Sequence, residues 1–300
     1  MTTSPPRICV LGSVNLDLVI QTPRFPKPGE TLLGGPFETF AGGTGANQAV
    51  AAARLGAHVD FLGCVGNDDG GRLARKAFED AGMNCDGLDT RVGEHTGVGL
   101  ITVNPEGENH IVVAPGANYA MTPAWVAEHA ATIRASQTLL LQLEVPIEVN
   151  QAAARIAFDC GVPVVLNAAP AASLPAEFLA CVHTLIVNQH EFDSLERLHV
   201  PRLIVTLGQD GAVCWDQDMT GKRRETRQAS FPIEPVDTTA AGDAFCAATT
   251  VAALENDHPA EFLSFGAAAG ALACTVAGAI PALPYRAQVD ALRATVLRDD

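Results

Sequence analysis

Apolar residues recur along this chain in two forms, short continuous runs and longer stretches at helical spacing, and their alternation predicts an α/β protein. Residues 7–12 form an apolar run closed by Gly12 and read as a buried first strand. Val14, Leu16, Leu18 and Ile20 then alternate with Asn15, Asp17 and Val19, the period of two of a strand with unlike faces. Asn15 and Asp17 therefore project the same way. Turn residues at 26–30 lead to an extended segment over 32–40 and, through a glycine-rich run, to a helix carrying Ala49 and Leu55. A strand at 58–63 and a helix at 70–81 set a strand–helix rhythm. Two extended runs at 96–103 and 110–114, joined by the hairpin signal Pro105-Glu106-Gly107-Glu108-Asn109, interrupt it. That insertion has the character of a flap, and it can pair with the extended 14–40 region as a lid.

From Pro123 the rhythm resumes: helix to Arg134, strand 138–143, helix 146–160, strands 162–167 and 184–187, and a helix start at Asn188. Residues 202–215 read as strand, glycine turn and strand, and the charged stretch 216–227 as a solvated hairpin end. Asp237 opens a segment leading to a helix that runs to about Glu255. A second Ala-rich helix, a loop at 278–281 and a last helix ending near Leu297 complete the chain. No repeat or interdomain linker breaks the 300 residues.

Composition narrows the function. A hydrophobic fraction of 48% supports a sizeable core, and a net charge of −15 opposes contact with a nucleic-acid backbone. The eight cysteines are widely spaced with no CxxC pair, which points to free thiols in a reducing cytoplasm. The N-terminus lacks the apolar run of a signal peptide. The uncharged stretch 262–282 is long enough to cross a bilayer, but its Ala, Gly and Pro281 favour a buried core helix.

The chemistry concentrates in Asp237-Thr238-Thr239-Ala240-Ala241-Gly242-Asp243. Small residues at a helix start leave N–H groups and the positive end of the dipole open to an anion. Asp243, in the same turn, is placed to take a proton from a hydroxyl brought against that anion; alternatively it only caps the helix. Asn15 and Asp17 suit the hydroxyls of a polyol, or else form a solvated face. In Ala41-Gly42-Gly43-Thr44-Gly45-Ala46-Asn47-Gln48-Ala49 the glycines admit a small ligand to the backbone, with Asn47 to bond it. Gln48 occupies the third-glycine position of a dinucleotide fingerprint, which excludes that reading. Glu144, Asn167, Asn188 and Glu191 lie at strand ends, where open sheets bind ligands. Asn188 and Glu191 share one helical face, as a cap or as holders of metal-bound water. No GxxxxGK[ST], HExxH or GxSxG run is present.

Together, Gly12-Ser13-Val14-Asn15-Leu16-Asp17, the double-glycine run, Asn188 with Glu191, Thr206-Leu207-Gly208 and the 237–243 segment resemble the ribokinase (PfkB) carbohydrate kinase family, in order and over almost the whole chain. The ribokinases are the members it is most similar to. The resemblance implies one three-layer α/β/α domain over 1–300, with a mostly parallel central sheet and a small β-sheet lid from 14–40 and 96–115. It implies transfer of the ATP γ-phosphoryl group to O5 of ribose, with Asp243 as base and the backbone of Ala240, Ala241, Gly242 and Asp243 as anion hole. Asn15, Asp17, Gly43, Thr44, Asn47 and Glu144 would hold the sugar. Asn188, Thr206, Gly208, Gly211, Ala241 and Gly242 would hold ATP, and Glu191 would act on Mg2+ through water. Asp237, Thr239 and Gly278 match a potassium site, and the lid would carry a homodimer contact. Thr44 stands where ribokinases usually have Lys, Ala267 where members often carry Asn or His, and the segment between Glu191 and Arg202 is short. These departures keep open a kinase of another sugar or of a nucleoside, and a binding protein that has kept the fold.

Overall fold

The computed structural model describes residues 4–106, 108–194, 200–217 and 221–296. With strands and helices each numbered in chain order, a nine-stranded sheet holds β1 (Arg7–Leu11), β4 (His58–Gly66), β5 (Leu88–Arg91), β8 (Thr138–Leu141), β9 (Val164–Asn167), β10 (Thr184–Asn188) and β11 (Arg202–Thr206) in parallel. Two antiparallel strands, β12 (Ala212–Gln217) and β13 (Arg223–Gln228), extend it at one edge. The order is β13-β12-β11-β10-β9-β8-β1-β4-β5, so the winding reverses between β1 and β8. Crevices of this kind at the carboxyl ends of parallel strands are where open sheets take ligands.

The central strands are apolar along their whole length because helices cover both faces. Ile8, Val10, Leu140, Ile186 and Ile204 join the core beneath α1 (Thr44–Arg54), α2 (Asp69–Asp80), α8 (Ala241–Glu255), α9 (Pro259–Ala273) and α10 (Arg286–Val296). Cys9, Leu11, Leu139, Leu141, Leu185 and Leu203 face the other way, toward α3 (Pro123–Glu128), α4 (Ala130–Ala135), α5 (Ile147–Asp159) and α6 (Ala176–Leu179). α7 (Gln189–Ser194) follows β10. This is the expected three-layer arrangement.

A second, four-stranded sheet has the order β3-β2-β6-β7, from β2 (Asn15–Gln21), β3 (Phe37–Gly42), β6 (Gly97–Val103) and β7 (Asn109–Ala114). β2 and β6 are parallel, and the outer pairs antiparallel. Its outer surface is apolar: Phe37 is 60% exposed and Val112 67%, with Leu100 paired to Val112 on the same face, while the exposed Ile111 and Val113 point to the opposite face, the side of Asp17.

Three expectations change. Residues 216–227 are not a solvated hairpin end throughout, since β13 pairs with β12 from Arg223 to Gln228. Its polar sequence fits because an edge strand buries little. The helix expected over 123–134 is broken at His129 into α3 and α4. β5 and the four-residue α6 carry too little apolar pattern to stand out in the sequence. The apolar stretch 262–282 is divided by the end of α9 at Ala273, and among the described residues no helix is long and apolar enough to cross a membrane. The shortened segment before Arg202 falls largely on 195–199, outside the described residues.

Candidate active site

Asp243 lies in the first turn of α8, directly after Ala240, whose φ of 59° is the only positive value at a non-glycine among the described residues. A left-handed alanine costs roughly 1–2 kcal/mol, and such outliers collect at functional turns. Ala241 N donates to Thr238 O and Ala244 N to Ala240 O. The N–H groups of Gly242 and Asp243 fall within the first helical turn, which lacks intrahelical acceptors, and are left for a ligand. A Cβ built on Gly242 meets nothing within 4 Å, so packing does not require the glycine there.

The Asp243 carboxylate accepts from Asn47 Nδ2 at 2.8 Å and from Gln48 Nε2 at 3.0 Å, both on α1. Burial pushes its pKa up to about 7; the two amide donors oppose that rise, and the charges of Glu144 and Asp17 add to it. Asp17, on β2, is likewise pushed up to about 7 by burial and by Glu144. Glu144 reaches the start of α1, accepting from Ser13 Oγ and from Thr44 N at 3.1 Å. Three carboxylates thus converge on one pocket, where the charge of Glu144 disfavours ionisation of both Asp17 and Asp243.

The register of β2 on β6 sets Gly97 opposite Asn15 and Gly99 opposite Asp17. A Cβ at Gly97 would stand 2.1 Å from Asn15 Oδ1, and one at Gly99 2.6 Å from Asp17 Oδ1. The two glycines are the notch that lets the buried polar pair lie against the neighbouring strand. Asn118, buried in a 3-10 turn, donates to Asn15 Oδ1 at 2.9 Å and accepts from Val14 N. With its oxygen so engaged, Asn15 presents its NH2 as the free donor. Gly43, at φ 93°, lets α1 start against the backbone of β2.

On the other side of Gly242 a cavity of about 570 Å3 opens between β11, the loop at Phe231 and helices α8 and α9. Thr206, Gly208, Gly211, Ala241 and Gly242 line it, together with Ala267; Asn188 does not. Its volume is that of a small-molecule or cofactor site. Asn188 and Glu191 instead form a reciprocal cap: Glu191 Oε2 accepts from Asn188 N and Asn188 Oδ1 from Glu191 N, each at 2.8 Å. Burial raises the Glu191 pKa above the ordinary carboxylate value. Asp237 gathers its loop, with Oδ1 accepting from Thr239 N and Oγ1 and Oδ2 from Gly278 N at 2.8 Å. Asp237, Thr239 and Gly278 are therefore together. Sequence reading missed roles for Ser13, Gln48, Gly97, Gly99, Asn118 and Gln142. Only the glycines had a signal, spaced at period two on a strand.

A helix N-terminus that carries a carboxylate in its first turn, between a polar notch and a cavity of small-molecule size, has a geometry suited to group transfer between two ligands. The chain belongs to the pfkB family of carbohydrate kinases, whose model matches residues 5–286. It is 39% identical over 297 residues to the ribokinase of Haemophilus influenzae, covering 93% of this chain and 95% of that one. It is 37% identical to the ribokinase of Bacillus subtilis, over 95% and 98% of the two chains. The structure of Arabidopsis thaliana ribokinase complexed with ribose and ATP superposes with a TM-score of 0.88 at 33% identity, over 97% of this chain and 99% of that one. Membership makes the protein an ATP-dependent carbohydrate kinase.

Proposed function

We propose that the protein is a ribokinase, moving the ATP γ-phosphoryl group to O5 of D-ribose. The observation that carries this is Asp243, held by two amides at a helix N-terminus with the notch of Asn15 and Asp17 on one side and the cavity on the other. The relatives carrying the name ribokinase supply the sugar. In this reading Asp243 takes the proton from O5, and within the Ala240–Asp243 turn the N–H groups of Gly242 and Asp243 stabilise the phosphoryl group in transit, that of Ala241 being given to Thr238 O. Asn15 donates to and Asp17 accepts from the ring hydroxyls, with Gly43, Thr44 and Asn47 closing the sugar pocket and Glu144 fixing its floor. ATP occupies the cavity over Thr206, Gly208 and Gly211, with Asn188 at its rim.

Two cations belong to the reading. Mg2+ would be held with its water shell near Glu191, and when bound it neutralises charge on the transferred phosphates. Asp237 would hold K+. Its carboxylate uses three acceptor positions on Thr239 and Gly278, and a carboxylate has about four. The second sheet, from 14–40 and 96–115, serves as a lid, and 1–300 acts as one catalytic domain. A cytoplasmic setting agrees with eight cysteines that are all free.

The test is ADP release from Mg2+-ATP with D-ribose, other sugars and nucleosides as acceptors, with and without potassium. Ribose is expected to lead the panel, with turnover rising on adding potassium. A nucleoside or another sugar in first place would replace the substrate and keep the mechanism. That second reading is favoured by Thr44, which puts a neutral side chain at the mouth of the pocket.

Two further results are expected. Gly99→Ala places a methyl 2.6 Å from Asp17 Oδ1 and must displace it. The KM for the sugar is expected to rise by about 10- to 100-fold, as misplacement of a positioning group does, with nucleotide affinity kept; an unchanged KM would remove Asp17 from the sugar site. The apolar outer face around Phe37 and Val112 is expected to join two copies. Sedimentation should show a dimer, and Val112→Glu a monomer. A wild-type monomer at high concentration would exclude that contact.

A further inference from the structure

Behind Asp243 runs a line of buried carboxamides that the sugar and nucleotide sites leave unexplained. Gln48 Nε2 donates to Asp243 Oδ1 at 3.0 Å and to Asn167 Oδ1 at 2.9 Å. Gln48 Oε1 accepts from Gln142 Nε2 at 2.7 Å. Asn167 Nδ2 donates to Ile186 O at 3.2 Å, and Asn150 Nδ2 to Gln142 O at 2.6 Å. Gln48, Gln142 and Asn150 are fully buried, and Asn167 is 8% exposed.

A carboxamide can be turned end for end at little cost in shape, so its orientation is set by its partners. Here the partners leave one choice. Ile186 O can only accept, which fixes the Asn167 NH2 on it and turns Asn167 Oδ1 toward Gln48. Gln142 offers its NH2 to Gln48 Oε1. A reversed Gln48 would set its oxygen against Asp243 and Asn167 Oδ1, and its NH2 against the NH2 of Gln142. Gln48 and Gln142 are fully buried, so that arrangement would leave the Asp243 carboxylate and Asn167 Oδ1 each facing an acceptor, at about 1–3 kcal/mol for each group left unpaired. The line also dictates a residue on β1's exit: a Cβ at Gly12 would lie 2.1 Å from Gln142 Oε1.

We propose that Gln48, locked in one orientation by Gln142 and Asn167, is a positioning residue that aims the Asp243 carboxylate at the acceptor hydroxyl. One Asp243 oxygen is held by Gln48 and the other by Asn47, which fixes the rotation of the carboxylate and keeps a lone pair directed into the pocket. The titratable groups around it are Asp17 on β2, Glu144 after β8 and Cys246 one turn along α8; Glu191 on α7 acts on Cys246. Asp17 and Glu144 disfavour the charged base, and Gln48 with Asn47 favours it. The inference rests on Asp243 being the base, and its tests separate the two ideas.

Gln48→Met removes the donor, and Gln142→Met removes only the group that orients it, without touching Asp243. Both are expected to move the acid limb of kcat upward by about one pH unit, a tenfold change in proton affinity, and to lower kcat with little change in the KM for ATP. The double variant is expected to match Gln48→Met alone, because the second change acts through the first. Should either variant fail to fold, the wild-type protein decides. The side-chain NH2 signals of Gln48 in a 15N spectrum, titrated without substrate, are expected to shift with one midpoint that Asp243→Asn abolishes. Signals insensitive to pH, or folded variants with an unmoved acid limb, overturn the relay. Full turnover in Asp243→Asn overturns instead the role of the base.

Discussion

Asp243→Asn is expected to lower kcat by about 10²- to 10⁴-fold, the range general-base catalysis supplies, and at the same time to raise the melting temperature at pH 8. The first part follows from removing the only carboxylate at the α8 N-terminus. The second follows from linkage. Asp243 titrates near 7 in the fold against an ordinary value of 3.8. A raised value means stability that is fully present below the ordinary pKa and is lost as pH rises through about 7. The native protein therefore keeps an ionised, buried Asp243 at pH 8 at a cost of at most about 4 kcal/mol, roughly three units at 1.36 kcal/mol each. Asparagine carries no such charge. Asn47 can accommodate it by turning, since its Oδ1 is buried without a partner. Differential scanning calorimetry beside single-turnover kinetics reads both effects. A variant that keeps turnover, or that melts lower at pH 8, contradicts the placement of the base. In the wild type the same titration predicts that kcat/KM falls tenfold per unit below about pH 7. The fall is steeper if Asp17, also near 7, has to be ionised to accept from the sugar.

Gly242→Leu carries the second large effect. A Cβ there meets no atom within 4 Å, and leucine is a better helix former than glycine by about 0.5–1 kcal/mol. The fold is thus expected to keep or gain stability. The added group would instead project into the space over the helix N-terminus, beside the cavity that Gly242 lines. Turnover is expected to drop by at least about 10²-fold, the loss typical of removing one donor for a developing oxyanion. Nucleotide binding would weaken less. A leucine variant with normal turnover would place the phosphoryl group elsewhere.

Much of this was legible in the sequence, for identifiable reasons. Strands such as β1 and β8 are buried on both faces and read as unbroken apolar runs, while β2 declares its two faces by alternation. The 237–243 segment shows in its composition, because only small residues leave backbone donors uncovered. What was hidden depends on pairing across the chain. Nothing local marks Asn118 as the partner of Asn15, or separates Gln48 and Gln142 from surface amides, since the identity of a partner 94 residues away is fixed only by topology. The reciprocal bonding of Asn188 and Glu191 was one of two open readings, and it is the geometry that shows the cap. β13 was lost because an edge strand can be as polar as a loop.

The hydrogen bonds that hold Asp243 span 195 and 196 residues of chain, and the one from Thr44 to Glu144 spans 100. Contacts so distant are closed late in folding. A chain emerging during synthesis can lay down β1, β2 and α1, then β6 and Asn118, and so complete the notch proposed for the sugar before α8 exists. It then holds a polar pocket with neither base nor anion hole. In the proposed reading, phosphoryl transfer switches on only when the last third of the chain docks, so an unfinished molecule would carry the notch without the base and would not spend ATP.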